Sequence, residues 1–250
     1  MEMSDDELLR YSRQIMLPQI GIDGQQKISQ AKVLLFGAGG LGSPIAMYLA
    51  ASGVGELTIV DPDTVDLTNL QRQILHGTND IGEPKVSSAK KSLTEINKQT
   101  MVHAIESVLT GEKLEQEVKH ADVVIDATDN FKSRFAINAA CVKCATALVT
   151  GAAIRFEGQV SVFDMQEGSA CYQCLFPDSE HGELEESCSD TGILGSVTGL
   201  IGSIQATEVL KLILNIGQSL SNKLLLIDAL SMEWHSVKIK KDSKCATCSS

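Results

Sequence analysis

Apolar positions along this chain keep two rhythms: short unbroken runs, and a recurrence every three to four residues that marks one face of a helix. Residues 32–61, KVLLFGAGGLGSPIAMYLAASGVGELTIVD, read as strand, glycine turn, helix and strand, ending on an acid. The helix should begin near Leu41. Helical spacing also predicts an amphipathic helix over 5–16, with Leu8, Leu9, Ile15 and Met16 as its apolar members. Ser4 is placed to cap it, with Glu7 three residues on as the second half of a capping box. Further helices are expected over 83–98, with Pro84 in the first turn, and over 111–119 and 131–144. Short apolar runs at 101–105, 123–130 and 147–150 read as strands, whereas 62–73 is polar and aperiodic and reads as a long loop. Strands that alternate with helices imply a parallel, doubly wound sheet.

The rhythm changes after Gly151. Residues 158–164 and 224–228 are strand-like and 234–239 alternate, with no helices interleaved among them. A polar loop over 177–190 precedes one long helix of small residues reaching Leu214. No internal repeat or low-complexity linker separates the halves. The fold class expected is therefore α/β: a Rossmann-like, mostly parallel sheet continued by antiparallel strands. Residues 1–250 would form one domain, with 1–150 binding a nucleotide and 151–250 contributing partner and metal binding.

Composition narrows the class. In 250 residues, 43% apolar and 21% charged content excludes wholesale disorder, and a net charge of -11 argues against a nucleic-acid surface. The first residues, MEMSDDELLRYSRQ, are polar and acidic and do not resemble a secretory signal. The longest uncharged stretch, 191–207, falls short of the ~20 apolar residues that span a bilayer, so it reads as a buried helix at a subunit interface. A soluble, cytoplasmic protein with no membrane partner is expected.

Gly37, Gly39 and Gly42 match G-x-G-x-x-G. The first glycine permits the tight turn, the second lets backbone approach a phosphate, and the third allows close helix–strand packing. The free N–H groups of the following helix favour an anion there. Asp61 could accept hydrogen bonds from a ribose. NAD and ATP both satisfy this fingerprint. In an open parallel sheet ligands bind outside the carboxyl ends of strands. The loops at those ends carry Asp61, Asn69, Arg72, Lys85, Asp129 and Asn130. A dinucleotide pyrophosphate is held largely by backbone N–H groups, whereas a triphosphate calls for cations and an acid that holds Mg²⁺.

Ordered motifs extend this picture. RYSRQI at 10–15, GAGGLG at 37–42, DLTNLQRQ at 66–73, Lys85 after Gly82-Glu83-Pro84, and DATDN at 126–130 are followed by EGQVSVF, CYQCLFP and GSIQATEVLK. Together they resemble the ThiF/MoeB family, relatives of the ubiquitin-activating enzymes, over nearly the whole chain. The resemblance implies adenylation of the C-terminal glycine carboxylate of a ubiquitin-like sulfur carrier of the ThiS or MoaD type. It implies that Asp61 binds the ribose, and that Gly40, Asn69 and the rest of 68–72 line the nucleotide. Arg72 and Lys85 would neutralise the triphosphate, while Asp129, beside Asn130, would hold Mg²⁺. Arg13 is expected to reach the phosphates of a neighbouring subunit, which makes a homodimer part of the active site. With the chain ending at Ser250, sulfur is expected from a separate donor.

Six of the seven cysteines form C-x-x-C pairs, which points to metal or catalysis before disulfides. Cys141 and Cys144 lie in a helical stretch and read as buried free thiols. Cys171/Cys174 and Cys245/Cys248 sit in turn-like contexts, as a tetrahedral structural zinc with four thiolates requires, and the family carries the same arrangement. Cys188 stands unpaired. The resemblance assigns it a covalent role with the carrier, although Glu185, Glu186 and Asp190 would raise its pKa. His76, His103, His120, His181 and His235 show no metal-like spacing and are given no role. Two other readings stand beside the adenylyltransferase: an NAD-dependent oxidoreductase, and a zinc-stabilised carrier-binding module without activity.

Overall fold

A computed structural model describes residues 3–177 and 191–249. Its centre is an eight-stranded sheet with strand order β3-β2-β1-β4-β5-β6-β7-β8. The first five strands, β1 (Lys32–Phe36), β2 (Glu56–Val60), β3 (Met101–Ile105), β4 (Val123–Asp126) and β5 (Ala147–Ile154), are parallel. β6 (Glu157–Phe163), β7 (Lys223–Asp228) and β8 (Glu233–Lys238) continue the sheet antiparallel. Strand order reverses between β1 and β4, and a crevice opens there above their carboxyl ends.

Among the described residues the α-helices are α1 (Asp5–Arg10), α2 (Ser12–Ile15), α3 (Gly21–Gln30), α4 (Gly42–Ala51), α5 (Lys85–Ile96), α6 (Gly111–His120), α7 (Phe131–Cys144), α8 (Tyr172–Leu175) and α9 (Gly195–Leu214). They cover both faces of the parallel part and divide the core in two. Leu35, Ile59, Ile125 and Val149 lie under α4, α5 and α9, whereas Leu34, Val124 and Leu148 face α6 and α7. The near-continuous apolar runs of β1 and β4 follow from this burial on both faces.

Ser4 and Glu7 form the expected capping box, yet the single helix foreseen over 5–16 is interrupted. Tyr11 turns inward and ends α1. Its hydroxyl donates to Gln99 at 2.9 Å and accepts from Asn97 at 2.9 Å, and its ring lies where a Cβ on Gly53 would come within 2.5 Å. Leu9 and Met16, foreseen as apolar-face members, stay exposed at 73% and 70%. The sequence reading also passed over α3. Its two glycines disfavour a helix by about 1 kcal/mol each, but tertiary packing overrides them. Ile28 is fully buried, and Gln25 donates to the Ser52 carbonyl. The strand foreseen at 147–150 continues to Ile154 as a hairpin with β6, turned by Arg155 in the left-handed region.

α9 is long and apolar enough to cross a membrane by length and composition alone. It is half buried against β5, β6 and α4. Gly202 allows the crossing with α4, since a Cβ there would lie 2.6 Å from the Leu41 carbonyl.

Candidate active site

Three strand ends and three helix starts build the crevice. β1 runs into the glycine turn and α4. A Cβ on Gly37 would lie 2.7 Å from the Ala127 carbonyl after β4, and φ is +95°. A Cβ on Gly42 would lie 1.9 Å from the Gly37 carbonyl, so α4 can start here only with glycine at this position. Gly39 lines the cleft with bare backbone, where a Cβ would meet only the Gln73 amide, at 3.7 Å. Gly40 is pressed between Thr198 of α9 and the Arg72 stem, with a Cβ 3.1 Å and 3.3 Å from them.

The Ala38 peptide within this turn is held at both ends. Its N–H donates to Asp61 Oδ2 at 2.7 Å. Its carbonyl accepts from His76 Nε2 at 2.9 Å, and His76 Nδ1 lies 2.8 Å from the Ser88 hydroxyl on α5. A carbonyl can only accept, so Nε2 carries the proton. Burial also holds His76 below its ordinary pKa, which keeps the ring neutral. Burial pushes the Asp61 carboxyl up, opposed by Lys85 and by the N–H groups of Ala38 and Asp63. His76, given no role from its spacing, thus orients the turn. Only its chain distance from the glycines hid this.

Lys85 is the first residue of α5 and is nearly buried, with its ammonium 2.8 Å from Asp63 Oδ2. A cation at a helix N-terminus opposes the helix dipole, so Asp63 offsets an otherwise unfavourable placement. Arg72 follows a 3-10 turn, and its Nη1 donates to the Thr68 carbonyl at 3.0 Å. Asp129 is exposed beyond β4. Asn130 caps α7, accepting the Ser133 N–H at 2.9 Å.

Gly37, Gly39, Gly40, Asp61, Arg72, Lys85, Asp129 and Asn130 line one cleft of about 930 Å³. It runs on past Gly158 and Gln159 to Leu226–Asp228, so strands of both halves form its wall. Gly42 packs beneath the turn, Asn69 lies outside the lining, and Arg13 is exposed on α2 away from this cleft. Cys188 lies outside the described residues. The sequence reading missed Asp63, Gln73 and Arg134, which also line the cleft. The signal for Arg134 was a cation in a first helical turn, with Asp126 and Asp129 shortly before it in sequence, whereas Asp63 and its partner Lys85, 22 residues apart, gave none.

The four knuckle cysteines converge. Cys171 and Cys245 sulfurs lie 3.6 Å apart and those of Cys174 and Cys248 3.5 Å, all four within 4.8 Å of one another. Among the described residues no other group of His, Cys, Asp or Glu converges in this way. The separations match the edge of about 3.8 Å expected for a tetrahedron of thiolates 2.3 Å from zinc. Burial pushes the Cys171 thiol up in the absence of a cation. Cys141 is fully buried, and burial raises its thiol pKa well above the ordinary value, as expected of an inert core thiol.

Comparison with known proteins agrees with this architecture. A crystal structure of MccB from Escherichia coli superposes with a TM-score of 0.84 over 100% of this chain and 76% of that one, at 24% identity, which establishes the fold alone. Sulfur carrier protein ThiS adenylyltransferase of E. coli K12 is 44% identical over 98% of this chain and 97% of its own length. Molybdopterin-synthase adenylyltransferase of the same organism is 41% identical over 99% and 98%. Adenylyltransferase and sulfurtransferase MOCS3 of Xenopus laevis is 42% identical over 99% of this chain, which spans 55% of that protein. The ThiF family model matches residues 11–247, and the chain belongs to the ThiF family.

Proposed function

We propose that this cleft binds ATP with Mg²⁺ and that the chain adenylates the C-terminal glycine carboxylate of a ubiquitin-like sulfur carrier, for thiamine or molybdopterin biosynthesis. The chain is an adenylyltransferase. The observation that carries the substrate reading is the convergence of Arg72, Lys85 and Asp129 on a glycine turn at the switch point of the sheet. One oxygen of the carrier carboxylate attacks the α-phosphorus, the bond to the bridging oxygen breaks, and pyrophosphate leaves. Both reactants are anions, so the work is alignment and charge stabilisation, with no proton to move.

Gly39 and Gly40 let the phosphates meet backbone, Asp61 takes the ribose, and Arg72 and Lys85 face the triphosphate. Asn69, on the same loop, and Asn130 would contribute from the rim. Asp129 is the acid suited to Mg²⁺, which would supply further positive charge to the leaving pyrophosphate. Gln73 supports the fit: its buried Oε1 lacks a protein partner and can accept from a bound nucleotide. The cleft's continuation along β6 and β7 accommodates an extended carrier tail.

Arg13 acts across a homodimer in this reading, supported by the exposed apolar residues Met16, Leu17 and Ile22 around it. The four knuckle cysteines hold a structural zinc, with no position left open for catalysis. The sulfur donor is a separate protein, and the reaction takes place in the cytoplasm, consistent with α9 packing into the core. Cys188 acts after adenylation, when the acyl adenylate offers a good leaving group. Cys188→Ala is expected to abolish a thiol-sensitive carrier adduct on non-reducing gels; an adduct that persists assigns it to another cysteine.

The reading is tested with purified ThiS-type and MoaD-type carriers. Pyrophosphate exchange into ATP should appear with one of them and depend on it. Mg²⁺–ATP should raise Tm where NAD does not, since a ligand at ~100 times its Kd stabilises by about 2.7 kcal/mol. Stabilisation by NAD, with no exchange for either carrier, would favour the oxidoreductase instead.

A further inference from the structure

Arg134 lies in the first turn of α7, where the helix dipole opposes a positive charge, and only 8% of it is exposed. A guanidinium taken out of water is costly unless its donors are used. Its Nη2 donates to the Thr128 carbonyl at 2.6 Å and more loosely to the Gly151 carbonyl at 3.4 Å, while Nη1 reaches the Tyr172 hydroxyl at 3.5 Å. Burial works against its charge, and Asp126, Tyr172 and Asp129 outweigh that effect.

These contacts fix the segment that carries Asp129. The Thr128 N–H and hydroxyl donate to Asp126 Oδ1 at 2.9 and 2.7 Å, and its carbonyl is taken by Arg134. That carbonyl shares a peptide plane with the Asp129 N–H, so Arg134 sets the rotation of the plane from which Asp129 departs. On the other side Asn130 is fixed by capping α7. The Asp129 carboxylate itself is held only loosely, by the Asn130 amide at 3.4 Å. Its direction therefore comes from the backbone.

Tyr172 extends this frame to the cysteine knuckle. It lies between Cys171 and Cys174, its N–H donates to Asn138 Oδ1 on α7 at 2.9 Å, and its ring meets Phe135 edge-on at 5.6 Å.

We propose that Arg134 is a positioning residue: braced by Tyr172, it clamps the Thr128 carbonyl and so aims the Asp129 carboxylate at the metal of a bound metal–nucleotide. This rests on the reading of Asp129 given above. Groups that orient a metal-ligating carboxylate commonly change metal affinity by about 10–100-fold when replaced.

Calorimetric titration of the full-length protein with ATP, in Mg²⁺ and in EDTA, tests it without a carrier. Arg134→Lys keeps the charge but replaces a planar fork with a point charge. The Mg²⁺-dependent gain in ATP affinity should shrink about tenfold while affinity in EDTA stays unchanged. Tyr172→Phe, which removes one hydroxyl, should reduce the same gain by about threefold, and it decides the matter if Arg134→Lys does not fold. A full gain in the folded variants overturns the proposal. So does an equal loss with and without Mg²⁺, which marks a merely structural role. Asp129→Asn in the same titration separates the two readings. If it keeps the gain, the assignment of Asp129 fails; if it loses the gain while Arg134→Lys retains it, only the positioning role fails.

Discussion

Lys85→Ala is expected to lower carrier-dependent ATP–pyrophosphate exchange by on the order of 10²-fold or more, as is usual when a preorganised charge-stabilising group is removed. The structural reason lies in what Lys85 needs to stay where it is. It opens α5 against the helix dipole, is nearly buried, and relies on Asp63 at 2.8 Å for compensation. Such a cation is already desolvated and fixed, so it need not reorganise as charge develops on the leaving pyrophosphate. Arg72→Ala and Asp129→Ala should show losses of similar size. Arg13→Ala should also be inactive, but for a different reason, since Arg13 is exposed on α2 away from this cleft. Mixing inactive Arg13→Ala with inactive Asp129→Ala should restore part of the activity, because one hybrid site receives both intact residues. Near-normal exchange in the Arg72, Lys85 and Asp129 variants, with a carrier that works for the parent, would mean the cleft is misassigned. No recovery in demonstrated heterodimers would place Arg13 within its own subunit or outside the reaction.

The parallel half of the fold was legible because its signals are local. An apolar run, a glycine turn, a helical rhythm and a following acid occur within 30 residues. Each has one physical reading, and together they pointed to Gly37, Gly39 and Asp61, all of which line the cleft. The failures were tertiary. Tyr11 breaks the first helix because Asn97 and Gln99, far along the chain, hold its hydroxyl. α3 forms despite two glycines because Ile28 and Gln25 find partners elsewhere. His76 lies between Ala38 and Ser88, and neither neighbour can be inferred from spacing. Arg134 was overlooked although its position was informative. A cation in the first turn of a helix conflicts with local preference, and such conflicts gather at functional sites.

The cysteine cluster offers the second large effect. Cys245→Ala should abolish the zinc binding proposed for this cluster and lower Tm by about 10 °C or more. Metal that binds only the folded chain at ~1,000 times its Kd contributes about 4 kcal/mol, and a domain of this size shifts by roughly 2–4 °C per kcal/mol. The geometry makes this loss felt at a distance. The two knuckles are 74 residues apart in sequence, and Cys171 is tied through Asn138 to α7. Gln173 and Thr247 add a hydrogen bond between the knuckles. Without a cation between them, four thiolates this close repel one another. Their common attraction is then gone, and the C-terminal segment loses its anchor. Cys141→Ala is the matched control, since it removes a fully buried thiol that lies outside the cluster. It should keep one zinc per chain by metal analysis, with only the stability change of a trimmed core side chain. Zinc retained in Cys245→Ala and lost in Cys141→Ala would mean that the helical pair, and not the C-terminal knuckle, completes the site.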